Sequence, residues 1–87
     1  MKNHLSKLSH LKNIGPKSEM WLNDFDIYTK EDIERYGPVT LYHILKSNGY
    51  DVNMIFVYAL QGALMNLHWN ELPKEIKDNL KNEINNQ

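Results

Sequence analysis

Between Val52 and Asn66 the sequence reads VNMIFVYALQGALMN. If this stretch is a helix, it is apolar on almost every side. Such a helix cannot lie on a surface and has to be wrapped by its neighbours. It therefore predicts the central buried element of the fold, built on Ile55, Val57, Tyr58, Leu60, Ala63 and Leu64. Ala59, Gly62 and Ala63 are small, so another helix can approach closely there. Met54 and Met65 read as core filler. The most apolar part, Met54–Leu60, is far too short to span a bilayer, and Asn53, Gln61 and Asn66 flank or follow it.

The rest of the chain has to supply the wrapping, and it does so with helices. Nothing alternates with period two over a useful length, whereas helical spacing recurs throughout. Leu5, Leu8 and Leu11 make one short face. Pro16 suits a first helical position, where no amide hydrogen is needed, and Met20, Trp21, Leu22 and Phe25 follow as the apolar face of a second helix. Thr29 is a good N-cap, with Asp32 three residues on completing a weak capping box. That third helix runs to Tyr36 and stops at Gly37-Pro38. Val39, Leu41, Ile44 and Leu45 mark a fourth, ended by Asn48-Gly49. After the central helix, a last one begins near Pro73, with Leu72, Ile76, Leu80 and Ile84 at four-residue spacing and Lys74 placed to pair with Asp78. The tail NEINNQ is expected to fray. LKNIG (residues 11–15) and LKSNG (residues 45–49) form a faint repeat at an offset of 34, in which Met20 and Met54 also correspond. The expected fold class is all-α: a compact bundle of five to six short helices.

The 87 residues imply one domain over residues 1–87. Roughly 60% of the unfolded surface is buried at this size, which leaves no room for a deep cleft beside a scaffold. The absence of cysteine excludes disulfides and thiolate chemistry. The opening MKNHLSKLSHLKN has no continuous apolar stretch for a signal peptide, and a cytoplasmic location is expected. A net charge of −1 argues against a generic nucleic-acid binder, but the charge is unevenly spread. Residues 1–18 carry Lys2, Lys7, Lys12 and Lys17 and no acid. Residues 19–36 carry Glu19, Asp24, Asp26, Glu31, Asp32 and Glu34 against Lys30 and Arg35.

The basic end coincides with LKNIGPKSEMWL, residues 11–22. A helix start leaves amide hydrogens without partners and carries partial positive charge, and an anion placed there satisfies both. With Gly15 as cap and Pro16 at the first position, the amides of Lys17 and Ser18 point outward. Glycine lets a phosphate approach the backbone, Lys17 adds a mobile charge and Ser18 a hydroxyl. Gly15 also reads as required by the turn itself, so that valine there would strain it. The competing reading is a bare turn between two packed helices.

This stretch resembles the helix-hairpin-helix motif, usually Leu-Pro-Gly-Ile-Gly-Pro-Lys followed by a small residue and a helix. Here Lys12 stands for the proline and Asn13 for the first glycine, and Asn tolerates the positive φ the hairpin needs. Glu19 stands where the second helix usually has Ala. A narrower resemblance covers nearly the whole chain. NIGPKS, Ile27-Tyr28-Thr29 with Asp32, Tyr58-Ala59-Leu60-Gln61-Gly62-Ala63 and His68-Trp69-Asn70-Glu71-Leu72-Pro73 together resemble the C-terminal domain of the TfoX/Sxy competence regulators. The resemblance implies a helix-hairpin-helix or SAM-like domain, a role in regulating DNA-uptake genes, and a stand-alone counterpart of a domain that the two-domain regulators carry after an N-terminal one.

No other constellation carries chemistry. His4, His10, His43 and His68 have no metal-binding spacing with one another or with carboxylates, so no metal or other cofactor is expected. Ser6, Ser9, Ser18 and Ser47 lack a base and an orienter. Trp21 and Trp69 read as core anchors. The sequence thus points to a non-enzymatic regulatory module that contacts the backbone of duplex DNA weakly, without sequence preference, through Lys12, Asn13, Gly15, Lys17 and Ser18. The alternative is a protein-interaction adaptor that uses an acidic face of Asp24, Asp26, Glu31 and Glu34. No membrane partner is expected.

Overall fold

A computed structural model describes residues 7–86. All regular structure among them is helical: α1 (Pro16–Asn23), α2 (Lys30–Tyr36), α3 (Pro38–Ser47), α4 (Met54–Met65) and α5 (Lys74–Asn85), with 3-10 turns at Leu8–His10 and Trp69–Glu71.

The helix boundaries are set by local chemistry. Pro16 is the first residue of α1, behind an extended Gly15. Thr29 Oγ1 accepts the Asp32 amide at 3.1 Å, while Asp32 Oδ2 accepts the amides of Thr29 at 3.2 Å and Tyr28 at 2.9 Å. Gly37, at φ 86°, ends α2 and at the same time caps α3, whose first residue is Pro38. Asn53 Oδ1 accepts the amides of Ile55 at 3.0 Å and Phe56 at 3.4 Å, so α4 begins at Met54 and not at Val52. It closes with Asn66 in the left-handed region at φ 58°. There the Leu67 amide bonds back to Gly62 O at 2.8 Å and the Asn66 amide to Ala63 O at 3.3 Å, a Schellman termination with Asn in the place glycine usually takes.

The amide bonds from Tyr28 and Thr29 hold the Asp32 carboxyl below its ordinary pKa, with help from Arg35 at 3.4 Å. A depressed folded-state pKa contributes stability that is present above the unfolded value of about 3.9 and is lost as pH falls through the folded one. Asp32→Asn is therefore expected to lower the melting temperature at neutral pH, and the gap to wild type should narrow as pH falls below about 3.9. A gap that persists at acid pH would show that the cost lies outside ionisation.

The core is built from Leu8, Ile14, Leu22, Ile27, Ile33, Leu41, Leu45, Val52, Phe56, Leu60 and Ala63. α4 packs against α2, α3, α5 and the Trp69–Glu71 turn, which makes it the central element. Its buried residues are Phe56, Val57, Leu60, Gly62 and Ala63. Ile55 is 48% exposed and Met65 38% exposed, against the expectation for both. They stand in the first and last turns of α4, off the stripe that carries Phe56, Leu60 and Ala63. Tyr58 and Leu64 are half-buried. Ala63 is 2% exposed. Ala63→Leu is expected to overpack this contact and cost about 1–3 kcal/mol, read from chemical denaturation.

Two further expectations are corrected. The face of Leu8 and Leu11 is a single 3-10 turn, with Leu8 fully buried, and Leu5 lies outside the described residues. The sequence repeat is not a structural one. Gly15 is extended and directly precedes its helix, whereas Gly49 is at φ 88° with four residues before α4. α5 runs to Asn85, with Ile84 half-buried, so the helix reaches further into the tail than the expected fraying implied; Gln87 lies outside the described residues. Lys74 Nζ does reach Asp78 Oδ2, at 2.8 Å.

Candidate nucleic-acid interface

The turn that leads into α1 is shaped by two residues with opposite roles. Asn13 takes φ 72° and swings the chain so that Ile14 is buried at 5% exposure. Its carboxamide then crosses to the far end of α4. Nδ2 donates to Ala59 O at 3.2 Å and to Leu67 O at 3.0 Å, and Oδ1 accepts the Trp69 amide at 3.0 Å. Asn13 thus binds the turn to a segment 46–56 residues away. Its donors and acceptor are occupied by the protein's own backbone.

Gly62 makes this crossing possible. A β-carbon there would stand 2.6 Å from both Asn13 Nδ2 and Leu67 O, far inside van der Waals contact. The small residues of α4 therefore admit a side chain and a carbonyl, where the sequence suggested a second helix. Gly62 and the Trp69 amide are the structural partners that sequence reasoning missed. The available signal was a glycine within an apolar helix, together with Asn in the position of the hairpin's first glycine.

Gly15 faces outward. Its φ of −96° and ψ of −176° are open to any residue, and a β-carbon there would meet nothing within 4 Å. The expectation that the turn itself demands glycine is corrected: what glycine leaves here is open space in front of α1. No side chain caps that helix. The amides of Lys17 and Ser18 have no acceptor among the described residues, while the Glu19 amide bonds Gly15 O at 3.0 Å. Lys12 and Lys17 are exposed and Ser18 is half-buried. Lys17 Nζ lies 5.0 Å from the centroid of the Trp21 ring. On the other side of α1, Glu19 Oε2 accepts the Ser9 amide at 3.2 Å. Of the five candidate residues, Gly15, Lys17 and Ser18 thus form the start of α1, and Lys12 is exposed three residues before Gly15. The Asn13 side chain supports the turn from within.

Trp21 and Trp69 are both half-buried. Trp21 packs on the outside of the core and meets Tyr50 edge-on at 5.7 Å. Tyr50 also meets Phe25 at 5.5 Å, and its hydroxyl donates to Asp24 Oδ2 at 2.7 Å. That hydrogen bond raises the pKa of the Tyr50 hydroxyl. Lys77 Nζ lies 5.7 Å from the ring centroids of both Tyr58 and Trp69. Among the described residues no group of three His, Asp or Glu side chains is placed to hold a metal ion. His43 borders a shallow depression with Thr40, Ile44, Ser47 and Asn48. His10 and His68 stand exposed elsewhere, and His4 lies outside the described residues. No helix among the described residues is long and apolar enough to cross a membrane.

These features define a small all-helical domain packed around α4, with an asparagine locking the turn before α1 to the end of that central helix. The chain belongs to the TfoX C-terminal domain family, whose model matches residues 4–84. It is similar to the crystal structure of an uncharacterized protein from Listeria monocytogenes, solved in a triclinic form. The two share 32% sequence identity and superpose with a TM-score of 0.78 over 85% of this chain and 84% of that one. A comparison with curated proteins gives no match.

Proposed function

We propose that the domain is a non-catalytic regulatory module, acting in the control of DNA-uptake genes, that contacts the phosphate backbone of duplex DNA through the start of α1. The observation that carries this reading is the uncapped N-terminus of α1. Two amides without acceptors sit behind an exposed Gly15 with open space above it; the exposed Lys17 lies in the same first turn, and the exposed Lys12 precedes it in the chain. A phosphate oxygen in that space would accept both amides and sit at the positive end of the helix dipole. Such contacts fix a backbone and read no bases, so binding is weak and indifferent to sequence. With two lysines engaged, log K should fall with log salt at a slope of about −2. Membership of the TfoX C-terminal family supports the regulatory setting.

Gly15→Asp separates this reading from a bare turn. A carboxylate at the N-cap takes the free amides itself and is expected to stabilise the fold by a few tenths of a kcal/mol. In the same stroke it fills the phosphate position with negative charge, so DNA binding should be lost while stability rises. Lys17→Glu should weaken binding with stability changed by less than ~0.5 kcal/mol. Fluorescence anisotropy with a labelled duplex at two salt concentrations, set beside thermal melts, reads both quantities. Wild type that fails to bind at low salt would sink the proposal.

The adaptor reading draws support from a different observation: Met20 is 58% exposed on α1, next in the chain to Trp21. It is favoured if the wild type binds no DNA.

A further inference from the structure

One face of α1 is apolar in the middle and oppositely charged at its two ends. Lys17, Met20, Trp21 and Asp24 fall on that face at helical spacing. Lys17 and Asp24 are exposed and Met20 is the most exposed large apolar residue of the described chain, at 58%. Trp21, between them on the helix, is half-buried and packs against the core. The two charges are held in place by neighbours on the same face. The Lys17 ammonium sits over the Trp21 ring at 5.0 Å, and Asp24 accepts the Tyr50 hydroxyl at 2.7 Å.

The spacing is self-complementary. Lys17 and Asp24 lie seven residues apart, about 10.5 Å along the axis, and the midpoint between them falls between Met20 and Trp21. If two copies of α1 run antiparallel about a two-fold axis at that midpoint, Lys17 of each faces Asp24 of the other, and Met20 of each faces Trp21 of the other. A parallel pairing would set Lys17 against Lys17. The antiparallel pairing also opposes the two helix dipoles. It sets the exposed Lys17 of each copy against the exposed Asp24 of the other, twice over. This is the symmetry an isologous interface requires. An apolar centre with Trp, Tyr and Met inside a charged rim is the usual anatomy of such a patch.

We infer that this face of α1 docks a second copy of the chain, antiparallel, to form a weak two-fold dimer. The inference does not depend on DNA binding. The two share Lys17, so a dimer would cover part of the proposed phosphate site.

Sedimentation velocity of the untagged protein over a concentration series, without DNA, tests it. The weight-average mass should rise from monomer to dimer. Met20→Glu should remain monomeric throughout. Lys17→Glu and Asp24→Lys should each weaken the dimer about tenfold, since each reverses two symmetric contacts. The combined variant with both reversals should regain dimerisation, because the charges still face their opposites. Thermal melts of all four variants control for folding. A wild type that stays monomeric at every concentration overturns the inference. So does a dimer that survives Met20→Glu, or a charge-swapped variant no better than its single parents. Loss of DNA binding with the dimer intact would bear only on the proposed function.

Discussion

Asn13→Ala is expected to destabilise the fold by about 4–5 kcal/mol, more than any change to the exposed lysines a few residues away. Three hydrogen bonds disappear at once, to Ala59 O, Leu67 O and the Trp69 amide. Each is worth about 1 kcal/mol net, and the part-buried groups left behind lose their partner. Alanine must also hold φ 72°, a left-handed conformation that costs an L-residue about 1–2 kcal/mol. Asn13→Gly separates the two contributions, because glycine accepts that φ freely and loses only the hydrogen bonds. Asn13→Asp should be no milder than alanine, since it sets a carboxylate against two carbonyl oxygens. Urea denaturation of the three variants measures this. If alanine and glycine both cost less than about 1 kcal/mol, the carboxamide is not a lock.

Gly62→Ala is expected to cost about 2 kcal/mol, the opposite of what helix propensity alone would give. Inside a helix alanine is better than glycine by about 1 kcal/mol. Here its β-carbon would meet Asn13 Nδ2 and Leu67 O at 2.6 Å, and overpacking of this kind costs about 1–3 kcal/mol before any repair. The Asn13 amide can be displaced only by breaking its bonds, and Leu67 O belongs to the backbone that terminates α4. The two sites share their partners, so the double variant Asn13→Ala/Gly62→Ala should cost less than the sum of the singles. Strict additivity would mean that they do not touch in solution.

Both predictions centre on a contact that no local pattern announces. Asn13 looked like a phosphate contact because it stands in a Gly-Pro-Lys turn, next to two lysines. Its side chain is instead used 46–56 residues away, on backbone groups whose positions depend on how α4 ends. Gly15 looked essential to the turn, yet its φ of −96° is ordinary. The residue at positive φ is Asn13, at φ 72°. The sequence carried the hint that Asn stands where the motif has glycine, but a hint about φ does not say where the side chain goes. The placements of Ile55 and Met65 were misjudged for a related reason. Apolar character all round a helix says that neighbours wrap it, not which side they leave open, and Ile55 and Met65 stand off the stripe of Phe56, Leu60 and Ala63 that the neighbours cover.

The features legible in the chain alone lie within about one turn of helix or within a single segment. Examples are the Thr29–Asp32 box, Pro16 and Pro38 as first helical residues, the stop at Gly37, the Lys74–Asp78 pair and the central position of α4. Each follows from interactions between residues three or four apart, or from the summed apolarity of one segment, and neither depends on the rest of the chain. The tertiary structure decided which end of α4 meets the α1 turn, that a side chain and not a helix fills the space over Gly62, and which residues of the turn face solvent. Those outcomes depend on pairs far apart in the chain. Such pairs are selected only when the whole core closes and each buried polar group must find a partner.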